Sequence, residues 1–152
     1  MIVYNLPALT SDYLNHFGEF VMLLEMLPEA PEVIEDARDW APRTYQAHLA
    51  GMKMSNAESL MRDYERLEPA RKALLEDASA NANRLGAAIV AALRDPKISA
   101  ERLSGIIHLG CGAMHAHIRR LSAIISGLPV TQIDLPGADL QARIDGLLVA
   151  AA

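Results

Sequence analysis

Five histidines and a single cysteine are the side chains of this 152-residue chain best equipped for chemistry. On helical wheels of about 100° per residue, three of the histidines fall among apolar neighbours. His16 shares a face with Tyr13, Phe17, Phe20, Leu24 and Leu27. His48 sits on a stripe with Tyr45, Leu49 and Met52. His117 lies about 60° from Met114, inside the face formed by Leu103, Ile107, Ile118, Leu121 and Ile125. Three neutral imidazoles, one from each of three helices, would make a site for Zn, Ni or Fe with a position left open for water or substrate. The plainer alternative is three core histidines, each bonded to a backbone carbonyl or a water.

His108, Cys111 and His115 form a second row, on the flank of the helix that carries His117. Their steps of three and four residues bring the side chains within ligand reach of one another. Three donors on one helix still need a partner helix or subunit to close a tetrahedral site. A thiol between two imidazoles also suggests a nucleophile, because a neighbouring imidazolium lowers a thiol pKa. No Asp, Asn or Glu on that helix is placed to orient either histidine, which favours a small buried Cys instead. Phosphotransfer through His108 or His115 would want a nearby cation, and the next basic residue is Arg119. There is no Glu-x-x-His pair, glycine-rich phosphate loop or zinc-ribbon spacing.

The elements that must position these residues read as helices. Thr10 or Ser11 can cap a first helix over 10–27, stopped by Pro28. An acidic connector follows, in which Pro31 starts one short turn with Val33 and Ile34 facing inward. A second helix is expected over 42–67, with Pro42 in its first turn and a restart or bend at the capping box Ser55–Glu58. A third spans 69–94, either kinked from the second at Pro69 or separate from it. The fourth, 99–127, is capped by Ser99 and stopped at Gly127. A short fifth helix is expected after Pro136, over about 138–150, with Leu140, Ile144, Leu147 and Leu148 on one face. The expectation is an all-α, single-domain protein over 1–152: an antiparallel four-helix bundle with a short fifth C-terminal helix.

Composition bounds the function classes. The chain is 51% hydrophobic but only 5% aromatic, a balance that favours helices over sheets. A net charge of −5, with scattered basic residues, argues against a nucleic-acid partner. No apolar run approaches the roughly 18 residues of a membrane span. The first residues lack a basic leader ahead of an apolar segment, and one Cys forms no internal disulfide, so a cytoplasmic location is expected. Gly110-Cys111-Gly112-Ala113 is a small-residue patch where a second helix could approach, so a homodimer is expected.

Two stretches carry a family resemblance. Trp40-Ala-Pro-Arg-Thr-Tyr-Gln-Ala-His48-Leu49 resembles the second-helix start of the DinB/YfiT-like proteins, with a Trp eight residues before a His-Leu pair. His115-Ala-His117-Ile-Arg-Arg-Leu121, running on to Ile125-Ser-Gly-Leu-Pro129, is similar to that family's last core helix and its exit. The resemblance covers about residues 10–129. It implies a four-helix bundle, often dimeric, with a divalent metal on three histidines and, in known members, thiol-dependent transferase or isomerase activity. Carried over, His48 and His117 are metal ligands, Ala113 stands where the family has its remaining histidine, and His16 is the candidate replacement. The resulting expectation is a DinB-like protein, metal-dependent or formerly so, acting on a small molecule with Zn or Ni as candidate metal and Tyr45 as a candidate acid–base group. The alternative is a non-catalytic helical module that works through protein partners.

Overall fold

The computed structural model describes residues 7–52 and 56–133. The chain is all-helical there, with six α-helices and no strand among the described residues. They are α1 (Leu14–Met26), α2 (Ile34–Arg38), α3 (Tyr45–Ala50), α4 (Ala57–Glu65), α5 (Pro69–Arg94) and α6 (Ala100–Ile125). Short 3₁₀ turns at Ser11–Tyr13 and Pro31–Val33 lead into α1 and α2. The expected fifth helix over 138–150 lies outside the described residues.

Local chemistry sets most of the ends. The Thr10 hydroxyl accepts from the Asp12 amide, and the Ser99 hydroxyl caps α6 by accepting from the Arg102 amide. α6 stops at Gly127, whose φ of 86° is the left-handed conformation open to glycine. The Leu128 amide donates back to the Ala123 carbonyl and the Gly127 amide to Ile124, the paired bonds of a Schellman stop. Arg71, at the start of α5, donates to the carbonyls of Ile124 and Leu128. The start of α5 therefore lies beside the end of α6, and the two long helices run antiparallel.

The expected second helix over 42–67 is two helices instead. α3 begins at Tyr45, with Thr44 rather than Pro42 at its threshold and the Thr44 hydroxyl accepting from the Ala47 amide. It closes after six residues at Gly51. α4 starts after Asn56, one residue past the predicted Ser55 cap. Glycine's cost in a helix outweighs the apolar periodicity that ran through both segments. Pro69 then separates α4 from α5, resolving the two readings of that joint in favour of separate helices.

The core lies where α1 and α5 meet α6, with Phe17, Phe20, Leu24, Leu75, Ile89, Met114 and Leu121 fully buried or nearly so. Each such side chain contributes about 1.5–3 kcal/mol relative to exposure. α2 is pinned across the C-terminal end of α5 by exchanged arginines. Arg38 Nε donates to the Leu93 carbonyl and Arg94 donates to the Arg38 carbonyl, so each helix end answers the other's free carbonyls. This docking sets the Asp39–Arg43 loop against α1 and α5. The six-membered ring of Trp40 from that loop presses against Gly86 of α5, where an added Cβ would stand 2.4 Å from two indole carbons.

The glycines divide sharply in what they tolerate. A Cβ at Gly112 meets nothing within 4 Å, whereas one at Gly86 must displace a rigid indole. Gly112→Ala is expected to stabilise the fold by about 0.4–1 kcal/mol, and Gly86→Ala to destabilise it by about 1–3 kcal/mol. Urea melts of the two variants check the opposite signs.

Candidate functional site

A cavity of about 390 Å³ opens between the start of α1, the Asp39–Arg43 loop and α3. His16 and His48, two of the three core-facing histidines, line it together. Each has one ring nitrogen already engaged. His48 Nε2 donates to Asp12 Oδ2 at 2.9 Å, and its Nδ1 is buried without a partner beside the Tyr13 ring. His16 Nε2 lies 3.2 Å from Asn83 Oδ1.

Asn83 defines the His16 tautomer. Its Nδ2 donates to the Arg43 carbonyl at 2.9 Å, and its Oδ1 accepts from the Arg43 amide at 3.0 Å. That two-way bond fixes which end of the carboxamide faces His16, so His16 Nε2 must carry the hydrogen. Nδ1 keeps its lone pair. The ring is stacked as well, with Trp40 4.7 Å from it and Phe20 in turn stacked 4.6 Å from Trp40. Trp40 Nε1 donates to the His16 carbonyl at 2.9 Å, which ties the loop to the helix it covers.

Burial, with lesser help from the charge of Arg43 and from His48, lowers the His16 pKa to about 4, against a single opposing bond from Asn83. His16 is therefore a neutral hydrogen-bond acceptor at pH 7 and too weak a base to take a proton there.

His117 is only 2% exposed and lies outside the lining of this cavity. Its charged surroundings are Arg120, Arg84 and Asp77. Burial first, then the two arginines, hold its pKa low. Arg120 is itself buried, reaching Asp77 through Nη2 at 3.4 Å, with Nε and Nη1 unpartnered. The candidate ligands thus divide: His16 and His48 share a cavity, and His117 belongs to a different polar cluster between α5 and α6. Among the described residues no three His, Cys, Asp or Glu side chains gather closely enough to hold a metal ion. With one nitrogen of His48 bound to Asp12 and the other buried, and one of His16 bound to Asn83, these donors do not fit a three-histidine metal centre.

The flank row behaves as the wheel predicts for its histidines. His108 and His115 are exposed, and His115 Nε2 pairs with Glu25 of α1 at 2.8 Å. Cys111 is buried, and burial, aided by Glu25, pushes its thiol up to about 11, so it is no activated nucleophile. Tyr45 is buried with its hydroxyl accepting from the Thr10 amide, and it does not line the cavity. Of the small-residue patch, Gly110 faces inward against Ile89 and Ala113 is buried, which leaves Gly112 as its outward member.

Sequence reading missed Asn83 and Asp12, the two residues that fix the histidines. A trace of Asn83 was present: Ser79, Asn83 and Gly86 recur at i, i+4 and i+7 in a helix otherwise rich in Ala and Leu, and all three are buried. Asp12 had no such signature, because its partner lies 36 residues away. No family model, curated protein or solved structure matches the chain.

Two outcomes follow from this geometry. Asn83→Ala strands the Arg43 amide and His16 Nε2, and is expected to cost about 1–3 kcal/mol in a denaturant melt. For pH, burial holds His16 neutral in the fold, so the unfolded chain binds the proton first. The stability that His16 contributes is complete above about pH 6.5 and drains away toward pH 4, about 3 kcal/mol for a shift from 6.5 to about 4. Melts at pH 4.5, 5.5 and 7 should show that slope, and His16→Gln should flatten it.

Proposed function

We propose that the chain is a DinB-like four-helix bundle whose histidine cavity binds a small polar molecule, in a form of the family site that no longer gathers three histidines on a metal. The observation that carries this reading is the convergence of His16 and His48 on one cavity of about 390 Å³, within the size range of small-molecule sites. The cavity is preorganised, since Asn83, Asp12 and Trp40 lock the rings and the covering loop before any ligand arrives. Its chemistry favours binding and orientation over proton transfer. His16 is neutral and weakly basic, and His48 has Nε2 bound to Asp12 and Nδ1 closed off from solvent.

The test is a ligand-observed magnetic-resonance screen of small polar molecules, followed by Trp40 emission, the chain having a single Trp. Ligands of this site are expected to shift Trp40 emission and the His16 ring resonances together. Binders that move neither signal place ligand recognition elsewhere and overturn the reading. Tight one-to-one uptake of Zn or Ni, abolished by His48→Ala and by His117→Ala, would overturn the metal-free form.

A second reading, assembly with another chain, draws on a groove of about 610 Å³ between α1 and α6. Leu109 on its wall is exposed, as are Met22 and Met26 on α1. A homodimer through this face should sediment at twice 16.5 kDa and be dissolved by Leu109→Glu; a wild-type monomer rejects it.

A further inference from the structure

We infer that the exposed face of α6 pairs antiparallel with the same face of a second copy of the chain. The two-fold axis passes between Leu109 and Gly112, so that Leu109 of each copy fills the space over Gly112 of the other. This rests on the reading of the α1–α6 groove as an assembly face and adds the occupant and its register.

The outward residues of α6 keep heptad spacing. Gly105, Leu109, Gly112 and Ala116 follow at steps of four, three and four, the spacing that holds one seam in line when two helices supercoil. Gly105, Leu109 and Gly112 are exposed and Ala116 is half-buried. Leu109, on the groove wall, is 46% exposed, and Met22, three residues before the groove-lining Glu25, is exposed as well. An added Cβ at Gly105 or Gly112 meets nothing within 4 Å. One helix face therefore carries both a protruding side chain and the hole that would receive it.

Reversing one helix about the point midway between positions 109 and 112 sets 109 against 112 and 105 against 116. The first layer opposes Leu109 to Gly112, and the second opposes Gly105 to Ala116. Each layer matches a side chain to a gap, and a two-fold axis makes every contact twice. A parallel pair would crowd Leu109 on Leu109 and leave a void between two copies of Gly112.

The polar flank agrees in charge. His108 and His115 line the groove, and across it Glu25 Oε1 lies 2.8 Å from His115 Nε2. His108 is exposed and has no hydrogen-bond or ion-pair partner among the described residues. The same reversal lays His108 of one copy beside the His115–Glu25 pair of the other, where its ring N–H can donate to the remaining Glu25 oxygen. The like charges of Arg102 and Arg119 face each other one layer further out and mark the ends of the contact.

Sedimentation equilibrium of the full chain measures the dimer dissociation constant. Gly112→Leu is expected to raise it about tenfold or more by filling the hole, and Leu109→Ala to raise it similarly by removing what fills it. Combining Leu109→Ala with Gly112→Leu exchanges the two and restores the layer, so the double variant should associate more tightly than either single one. General loss of structure cannot produce that recovery. Register is read separately in a Cys111→Ala background: an equimolar mixture of Leu109→Cys and Gly112→Cys chains should form a disulfide-linked dimer faster than either chain alone. A dimer indifferent to Gly112→Leu, a double variant without recovery, or either cysteine variant linking to itself as fast as the mixture links overturns this arrangement and leaves the assembly reading standing. A wild-type chain that sediments only as monomer overturns both.

Discussion

One buried carboxamide holds the histidine end of this protein together. Asn83, 8% exposed on α5, makes three hydrogen bonds to two partners that are distant in the chain. Two of them treat the Arg43 peptide as a neighbouring strand would, giving an irregular loop the backbone pairing it otherwise lacks. The third settles which nitrogen of His16 carries hydrogen. Tyr13 adds its hydroxyl to the same Arg43 carbonyl at 2.7 Å, so α1 and α5 grip the loop from both sides. In a low-dielectric interior such a network stabilises strongly when complete and costs heavily when a member is missing.

Aromatic packing extends that grip. Tyr13 meets Phe17 and Tyr45 edge to face, and Tyr45 tilts against Tyr64 of α4. This continuous aromatic layer carries the short helices α3 and α4, and the Tyr64 hydroxyl ties α4 to α5 by donating to Glu76 at 2.6 Å. It also explains how six residues of α3 can hold His48 steadily: the ring is clamped between the Asp12 carboxylate and the Tyr13 face. The polar cluster of Asp77, Arg84, His117 and Arg120 follows a different logic. There a buried guanidinium has a half-solvated carboxylate as its ion-pair partner, and nothing described accounts for its two unpartnered nitrogens.

Much of the fold was legible in the sequence because its determinants are local. Thr10, Ser99 and Gly127 act on their own helix ends, and the wheel arithmetic that turned His16 and His117 inward and His108 and His115 outward depends only on helical periodicity. The restart at Ser55–Glu58 was legible as a capping box, but the end of α3 at Gly51 was not, because apolar spacing carried on through it and only the balance of capping against propagation decides such a joint. The site itself was half legible. Residue types and faces marked His16 and His48, but a bond between His16 and Asn83 spans 67 residues and leaves no periodic trace. His117 shows the limit of reasoning by face alone: pointing inward specifies a core, not which part of the core.

The glycines of α6 give the two sides of the molecule different mechanical characters. Gly105, Gly110 and Gly112 fall within eight consecutive residues, and two of the three have open space where a side chain would pack. Each weakens the helix by about 1 kcal/mol relative to Ala, so the middle turns of α6 depend on packing against α1 and α5 more than on their own propensity. His108 and Cys111 ride on those turns. The wall of the α1–α6 groove therefore takes its shape from the helices packed behind it. The histidine cavity is walled by interlocked rings and a fully bonded carboxamide, so its shape is set by side-chain contacts across the chain.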